Sequence, residues 1–214
     1  MKVLSWNVHG LRDDVDALVR TVHGVQPHVA LIQEAPRVFR WRARAAELAR
    51  RCGLVVAQGG ASGNLVLVSL AVSVRDTAVV RLPFTRGQHP RAAVVMRAAL
   101  AGAEFTAVGV HLGLTEAERA AHVRVLLDAL PAQEPVVLGG DINETDAGPA
   151  WRTLAARLAD AGAGDAAPTF RTRRIDGIFV TPGTAVKDYR VLDTPDVSRA
   201  SDHRPVVAEV ELTR

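Results

Sequence analysis

The sequence predicts a four-layer α/β sandwich, with two mixed β-sheets packed face to face and helices on the outer faces. Three observations carry that expectation. Apolar runs of strand length alternate with amphipathic stretches of helical period. Residues 54–111 read as strand after strand, too many in succession for a purely parallel sheet with crossover helices. A strand–helix–strand pattern occurs at 2–34 and again at 104–143, and each strand of both copies closes on a polar residue.

In chain order, Lys2 to His9 alternates and closes on Trp6-Asn7 as a first strand. Asp13-Asp14 offers a cap for a helix with Val15, Leu18, Val19 and Val22 on one face. Val29-Ala30-Leu31-Ile32 is a doubly buried strand ending at Gln33-Glu34. A helix is expected over 37–52, with Val38, Trp41, Ala45, Leu48 and Ala49 on its inner face and Gly53 as its stop. Strands follow at 54–57, 65–69, 72–82, 92–100 and 104–111, separated by Gly59-Gly60, Ser62-Gly63, residues 83–90 and Ala101-Gly102 as turn material. Thr115 and Glu118 form a capping box for a helix running to about Leu130, where Pro131 stops it. A strand at 136–140, a helix over 149–158, a small-residue loop over 161–168, and strands at 175–180, 186–192 and 206–212 complete the chain. No linker or low-complexity tract interrupts it, so one domain over 1–214 is expected.

The chain is organised around Val136-Val137-Leu138-Gly139-Gly140-Asp141-Ile142-Asn143. Three large apolar residues read as a strand buried on both faces, and two glycines leave room for close approach by a ligand or another backbone. Asp141 and Asn143 lie two apart, so on an extended chain they share a face. They suit a hard cation, a water and a phosphate oxygen, or else an Asx turn closing the strand.

Composition narrows the partners. The 214 residues carry a net charge of +3, and lysine occurs only at 2 and 187, so the positive charge is almost all arginine. Arginine suits bidentate contact with phosphate. A GC-rich coding bias produces the same composition, so the charge permits an anionic substrate without requiring one. No apolar run approaches the roughly 18 residues of a membrane span. Cys52 stands alone and a strand pattern starts at the N-terminus, so a cytoplasmic monomer without disulfides is expected.

Four apolar strands end on Asn7, Glu34, His111 and Asp141, and two more begin at Asp176 and after Asp202-His203. If the last two run antiparallel to the first four, all six deliver polar groups to one rim. Four carboxylates would then gather, and two such charges about 4 Å apart repel by roughly 4 kcal/mol at an effective dielectric of 20. A cation relieves this. An oxygen-rich set favours Mg²⁺ or Mn²⁺ over zinc. A two-carboxylate glycosidase needs fewer groups than are present here.

With these residues assembled, the chain resembles the endonuclease/exonuclease/phosphatase superfamily, the fold of pancreatic-type DNases and exonuclease-III-like AP endonucleases. The matching stretches are Ser5-Trp6-Asn7-Val8, Leu31-Ile32-Gln33-Glu34, Val110-His111-Leu112, Gly139 to Asn143, Arg174 to Phe179 and Ser201 to Val206, in the family's order. The resemblance implies that Glu34 is the main metal ligand, supported by Asn7 and Asp202. It implies that Asp141 and Asn143 position the attacking water and the phosphate, and that Asp176 orients His203. His203 would serve as general acid–base or bind the scissile phosphate, and His111 would donate to a phosphoryl oxygen. How base duty divides between Asp141 and His203 stays open.

The expected activity is metal-dependent phosphodiester hydrolysis, with nucleic acid as substrate and low sequence specificity. The alternative is a small phosphorylated metabolite or a phospholipid headgroup. His9 stands where AP endonucleases carry an acidic residue, Tyr189 is the only tyrosine, and no insertion is long enough to wrap a duplex. These departures predict poor activity at abasic sites. Arg37, Arg40, Arg42, Arg44, Arg86, Arg91, Arg171, Arg173 and Arg174 are the candidate phosphate contacts, although the Arg37–Arg51 run reads first as a solvated helix face.

Overall fold

The computed structural model of the protein describes residues 1–37, 39–132 and 134–212. Twelve strands and five α-helices follow one another among these residues. The first half contains β1 (Lys2–Asn7), α1 (Val15–Val25), β2 (Val29–Gln33), α2 (Trp41–Arg51), β3 (Val55–Ala61), β4 (Asn64–Val68), β5 (Val72–Arg81) and β6 (Ala92–Leu100). The second contains β7 (Ala103–His111), α3 (Glu116–Asp128), β8 (Val136–Asp141), α4 (Pro149–Arg157), β9 (Ala159–Asp160), β10 (Asp176–Val180), β11 (Val186–Val191), α5 (Pro195–Ala200) and β12 (Val206–Val210).

The strands form two six-stranded sheets, ordered β11-β12-β1-β2-β4-β3 and β5-β6-β7-β8-β10-β9. Each holds one parallel pair at its centre, β1 with β2 in one and β7 with β8 in the other, flanked by antiparallel neighbours. Those pairs are the two strand–helix–strand repeats of the sequence. Because β10 runs antiparallel to β8 and β12 antiparallel to β1, the starts of β10 and β12 fall on the rim where β1, β2, β7 and β8 end.

Burial confirms the four layers. Val3, Leu31, Val66, Met96, Phe105, Val137 and Ile178 fill the seam between the sheets. The outer face of the first sheet packs Leu4, Trp6 and Ile32 against Leu18 and Val22 of α1 and Leu48 of α2. The outer face of the second packs Val108, Leu138 and Phe179 against Val123, Leu126 and Trp151 of α3 and α4. The helix starts are capped as their sequences require. Asp14 accepts from the Ala17 amide at 2.9 Å, and Thr115 and Glu118 close the reciprocal capping box. No helix among the described residues is long and apolar enough to cross a membrane.

The two glycines before Asp141 are there for packing. A Cβ on Gly140 would sit 1.9 Å from the Val110 carbonyl oxygen of β7, and one on Gly139 would meet Leu31 Cδ1 at 2.8 Å across the seam. Of the two alternatives for this pair, close approach of another backbone accounts for Gly140.

Several boundaries differ from the sequence reading. Gly59-Gly60 is no turn: β3 runs through both, and the Trp41 ring occupies the space their side chains would fill, 2.7 Å from a Cβ on Gly60. The helix expected over 37–52 begins only at Trp41, and Val38, placed on its inner face, lies outside the described residues. The helix expected to reach Leu130 ends at Asp128, and the last strand ends at Val210. Strand β9 has two residues and α5 has six, too short for a periodic signal. The cue for α5 was Thr194-Pro195, an N-cap followed by proline at the first helical position, with Thr194 Oγ1 accepting from the Val197 amide.

Candidate active site

The rim gathers six of the eight residues named from sequence. Asn7 ends β1, and its Nδ2 donates to Glu34 Oε1 at 3.2 Å and to Asp141 Oδ2 at 3.0 Å. One amide thus bridges carboxylates from the two sheets. Glu34 lies just past β2 with φ at 52°, the left-handed region that costs a non-glycine residue on the order of 1–3 kcal/mol and concentrates at functional sites. The turn is held by the Ala35 amide donating to the Gly63 carbonyl at 2.8 Å. It leaves Glu34 half-buried, lining a cleft of about 540 Å³ together with His111 and Arg91.

Asp141 closes β8 and is buried, 2 % exposed. Besides the Asn7 amide, its Oδ2 faces His111 Nε2 at 3.3 Å and His203 Nε2 at 3.9 Å. Burial pushes the Asp141 carboxyl above its ordinary range, against the pull of His111. His203 is held between two carboxylates, its Nδ1 at 2.9 Å from Asp176 Oδ2 and its Nε2 toward Asp141. Burial alone would lower its pKa. The hydrogen bond and charge of Asp176, with Asp141 and Asp202 behind it, outweigh burial and raise it to about 9. For His111 burial wins: its pKa falls to about 4 despite Asp141. Near neutral pH one imidazole is therefore a cation and the other a neutral donor.

The neighbouring groups fix these orientations. Trp6 is buried and its Nε1 donates to the His203 carbonyl at 2.8 Å. Ser201 Oγ donates to the Asn7 carbonyl and accepts from the His203 amide, tying the β1 end to the loop after α5. Thr169 Oγ1 accepts from the Ile175 and Asp176 amides at 3.0 Å, and the Phe170 ring lies 4.6 Å from the His203 ring. Sequence reasoning gave Ser201 no role, although it opens a matching stretch, and passed over Thr169 and Phe170. A lone aromatic beside threonine and three arginines in a polar loop was the available cue for the last two.

The remaining two flank these groups in sequence. Asn143 takes φ 57°, its amide N–H donates to Asp141 Oδ1 at 2.9 Å and its Nδ2 donates to the Leu112 carbonyl at 3.0 Å. The left-handed turn breaks the strand alternation that would have put it on the same face as Asp141, and the Asx turn is what forms. Asp202 is exposed beside His203. Arg174, a candidate phosphate contact, is committed inside the protein. It pairs with Asp160 through both guanidinium nitrogens at 2.9 and 2.7 Å, over the Trp151 ring.

The donor set fits a hard divalent cation. Among the described residues, Glu34, Asp141 and Asp176 form no ion pair with arginine or lysine, and Asp176 Oδ1 is buried without a hydrogen-bond partner. Asp141, Asp176 and His203 each offer a ligand atom within 4.8 Å of the others. Three carboxylates against the one imidazolium of His203 leave excess negative charge on oxygen ligands, which suits such an ion.

The family comparison agrees with this chemistry. The sequence pattern of the Endonuclease/Exonuclease/phosphatase family matches residues 4–203, and the chain belongs to that family. It is accordingly a hydrolase of phosphoester bonds, in a family that depends on divalent metal. Solved structures share the fold at low identity. The Bacteroides thetaiotaomicron mannosyl-6-phosphatase superposes with a TM-score of 0.83 at 17% identity, covering 99% of this chain and 100% of that one. The human Nocturnin catalytic domain with bound sulfate gives 0.83 at 18%, covering 100% and 94%. D. rerio TDP2 complexed with a single-strand DNA product gives 0.77 at 18%, covering 97% of each. No match is found among curated proteins.

Proposed function

We propose that the protein is a Mg²⁺- or Mn²⁺-dependent phosphodiesterase that cuts nucleic acid with low sequence specificity, acting as a cytoplasmic monomer of one catalytic domain. The observation that carries this reading is Asp141 Oδ2, a buried carboxylate oxygen faced by Asn7, His111 and His203. Glu34, Asn7 and Asp202 would hold the ion. When bound, it would supply charge stabilisation at the phosphoryl oxygens. Asp141, made more basic by burial, accepts the proton of the attacking water. His203 starts as an imidazolium and so is a poor base; it stabilises charge on the phosphoryl and leaving oxygens. Asp176 fixes its tautomer and ring plane through Nδ1. His111, neutral, would share its one N–H, on Nε2, between the Asp141 carboxylate and a phosphoryl oxygen, and Asn143 keeps that carboxylate in place through the Asx turn.

A small phosphorylated compound is the second reading, favoured by the cleft. Its volume of about 540 Å³ falls within the roughly 300–1,000 Å³ of small-molecule sites. The relatives' names span both classes, a sugar phosphatase and a protein holding a single-strand DNA product.

A panel of single- and double-stranded DNA, RNA, abasic duplex and small phosphoesters, each with Mg²⁺ or Mn²⁺ and with EDTA, tests the proposal. The expected result is metal-dependent cutting of nucleic acid, weak at abasic sites and abolished by EDTA. Its salt slope should match about two or three phosphates, at about 0.7–0.9 per phosphate. Full activity after exhaustive metal removal overturns the proposal. Fast turnover of one small phosphoester without nuclease activity moves the second reading into first place.

A further inference from the structure

Beside the reacting groups, the cleft carries a wall of cations that the chemistry above does not use. Arg12 follows the 3₁₀ turn at His9–Leu11, Arg37 follows the Glu34 turn, Arg44 lies in the first turn of α2, and Arg91 immediately precedes β6. All four line the same cleft as Glu34 and His111. They are far apart in sequence, and four separate segments deliver them to one cavity.

Among the described residues none of these four guanidiniums forms an ion pair or a side-chain hydrogen bond. Ten other arginines pair with carboxylates, and those that form no ion pair among the described residues, such as Arg81, Arg124 and Arg157, do not line this cleft. Among the described residues the only carboxylate lining the cleft is Glu34, which already accepts from Asn7 and is assigned to the ion. Arg91 is half-buried, so its charge stays partly out of water with no partner to compensate it. Burial lowers its pKa, while Asp141 and Glu34 pull the other way, which places its field at the reacting groups. A desolvated cation without a partner is costly unless a ligand supplies the anion.

We propose that Arg12, Arg37, Arg44 and Arg91 form an anion subsite, and that the substrate carries a second phosphate beside the one that is cut. The proposal rests on the phosphodiesterase reading and narrows its substrate class. The second phosphate could belong to the next nucleotide of a strand or to a doubly phosphorylated small molecule. Planar guanidinium groups suit phosphate in either source. Uncharged or singly charged phosphoesters would leave the wall empty.

Two probes with the same leaving group isolate the second phosphate: thymidine 5′-(p-nitrophenyl phosphate) and its 3′-phosphorylated analogue. With Mg²⁺ or Mn²⁺, kcat/KM should be about ten- to a hundred-fold higher for the 3′-phosphorylated probe, the scale of a charge-assisted contact. In Arg12→Ala/Arg44→Ala that preference should collapse, the two probes coming within about twofold of each other. Both positions are exposed, so the double variant keeps its fold. Equal kcat/KM for the two probes in the wild type overturns the subsite and leaves the phosphodiesterase reading standing.

A single-strand pentathymidylate distinguishes the source. Higher kcat/KM than for the 3′-phosphorylated probe supports a strand as the occupant, and lower supports a doubly phosphorylated small molecule. If neither p-nitrophenyl probe is turned over, the phosphodiesterase reading fails, and metal-free calorimetry with inorganic pyrophosphate decides the subsite alone. Binding weakened at least about tenfold in the double variant supports it; binding unchanged within about twofold overturns it.

Discussion

The two parallel strand pairs at the centres of the sheets look alike, yet they present their terminal residues differently. In the second sheet His111 and Asp141 are register partners, the last rung of the β7–β8 ladder. In the first sheet Asn7 pairs with Gln33, so Glu34 overhangs the β1–β2 ladder by one residue. That single residue decides the environment. Asp141 and His111 stay inside the ladder, buried, where desolvation shifts both their pKa values. Glu34 leaves it in a left-handed turn and faces the cleft. In the function proposed above, the first unit would handle the proton away from bulk water and the second would hold an exchangeable ion at the edge of it.

The largest effect that would separate these duties is at the buried carboxylate. Asp141→Asn keeps the shape and the Asn7 contact but removes the base, so turnover should fall at least about a hundred-fold. Circular dichroism should be unchanged, and metal affinity should fall far less than turnover. A loss smaller than about tenfold would show that the buried unit is not where the proton goes. Glu34→Gln should reverse the pattern. Calorimetry should show Mg²⁺ or Mn²⁺ binding weakened by roughly tenfold or more, with much of the activity recovered at high metal concentration. Equal binding in variant and wild type would remove Glu34 from the ion site.

A smaller effect concerns stability, because the two histidines move in opposite directions from an ordinary value of 6.5. With a folded value of about 9, His203 contributes stability that is complete below 6.5 and is lost as pH rises through 9. With a folded value of about 4, His111 contributes stability present above 6.5 and lost as pH falls toward 4. Thermal melts across pH should therefore peak near 6.5, each limb on the order of 2 kcal/mol at full titration. His203→Gln should flatten the alkaline limb and His111→Gln the acid one. Limbs that persist in both variants would assign the pH dependence elsewhere.

Much of this site was legible in the sequence because strand ends are. An apolar run announces a buried strand, and the first polar residue after it must lie at the rim. Asn7, Glu34, His111 and Asp141 were found that way, and the antiparallel direction of β10 and β12 brought in Asp176 and His203. What escaped notice depends on tertiary contact. Gly59-Gly60 carries the composition of a turn, but only the packed ring of Trp41 explains it as strand. Arg174 and Arg91 are the same residue type in basic surroundings; Asp160 occupies one, and among the described residues no carboxylate pairs with the other. Arg12 lies in a segment with no periodic pattern, so no sequence signal points it at the cleft.

The missing side chain of Gly139 also has a catalytic reach. A Cβ there would press on Leu31 Cδ1 at 2.8 Å and Ser5 Cβ at 3.1 Å, both in the opposite sheet. The hydrogen bonds from Asn7 to Asp141 and from His203 to Asp176 span that same gap between the sheets. The thickness of the sandwich at Gly139 is therefore the ruler by which the reacting groups are spaced. Had all of them come from one sheet, a thicker seam would have been harmless. Here one added methyl group would act as a wedge, prising apart the two halves of the machinery while every catalytic residue remained in place.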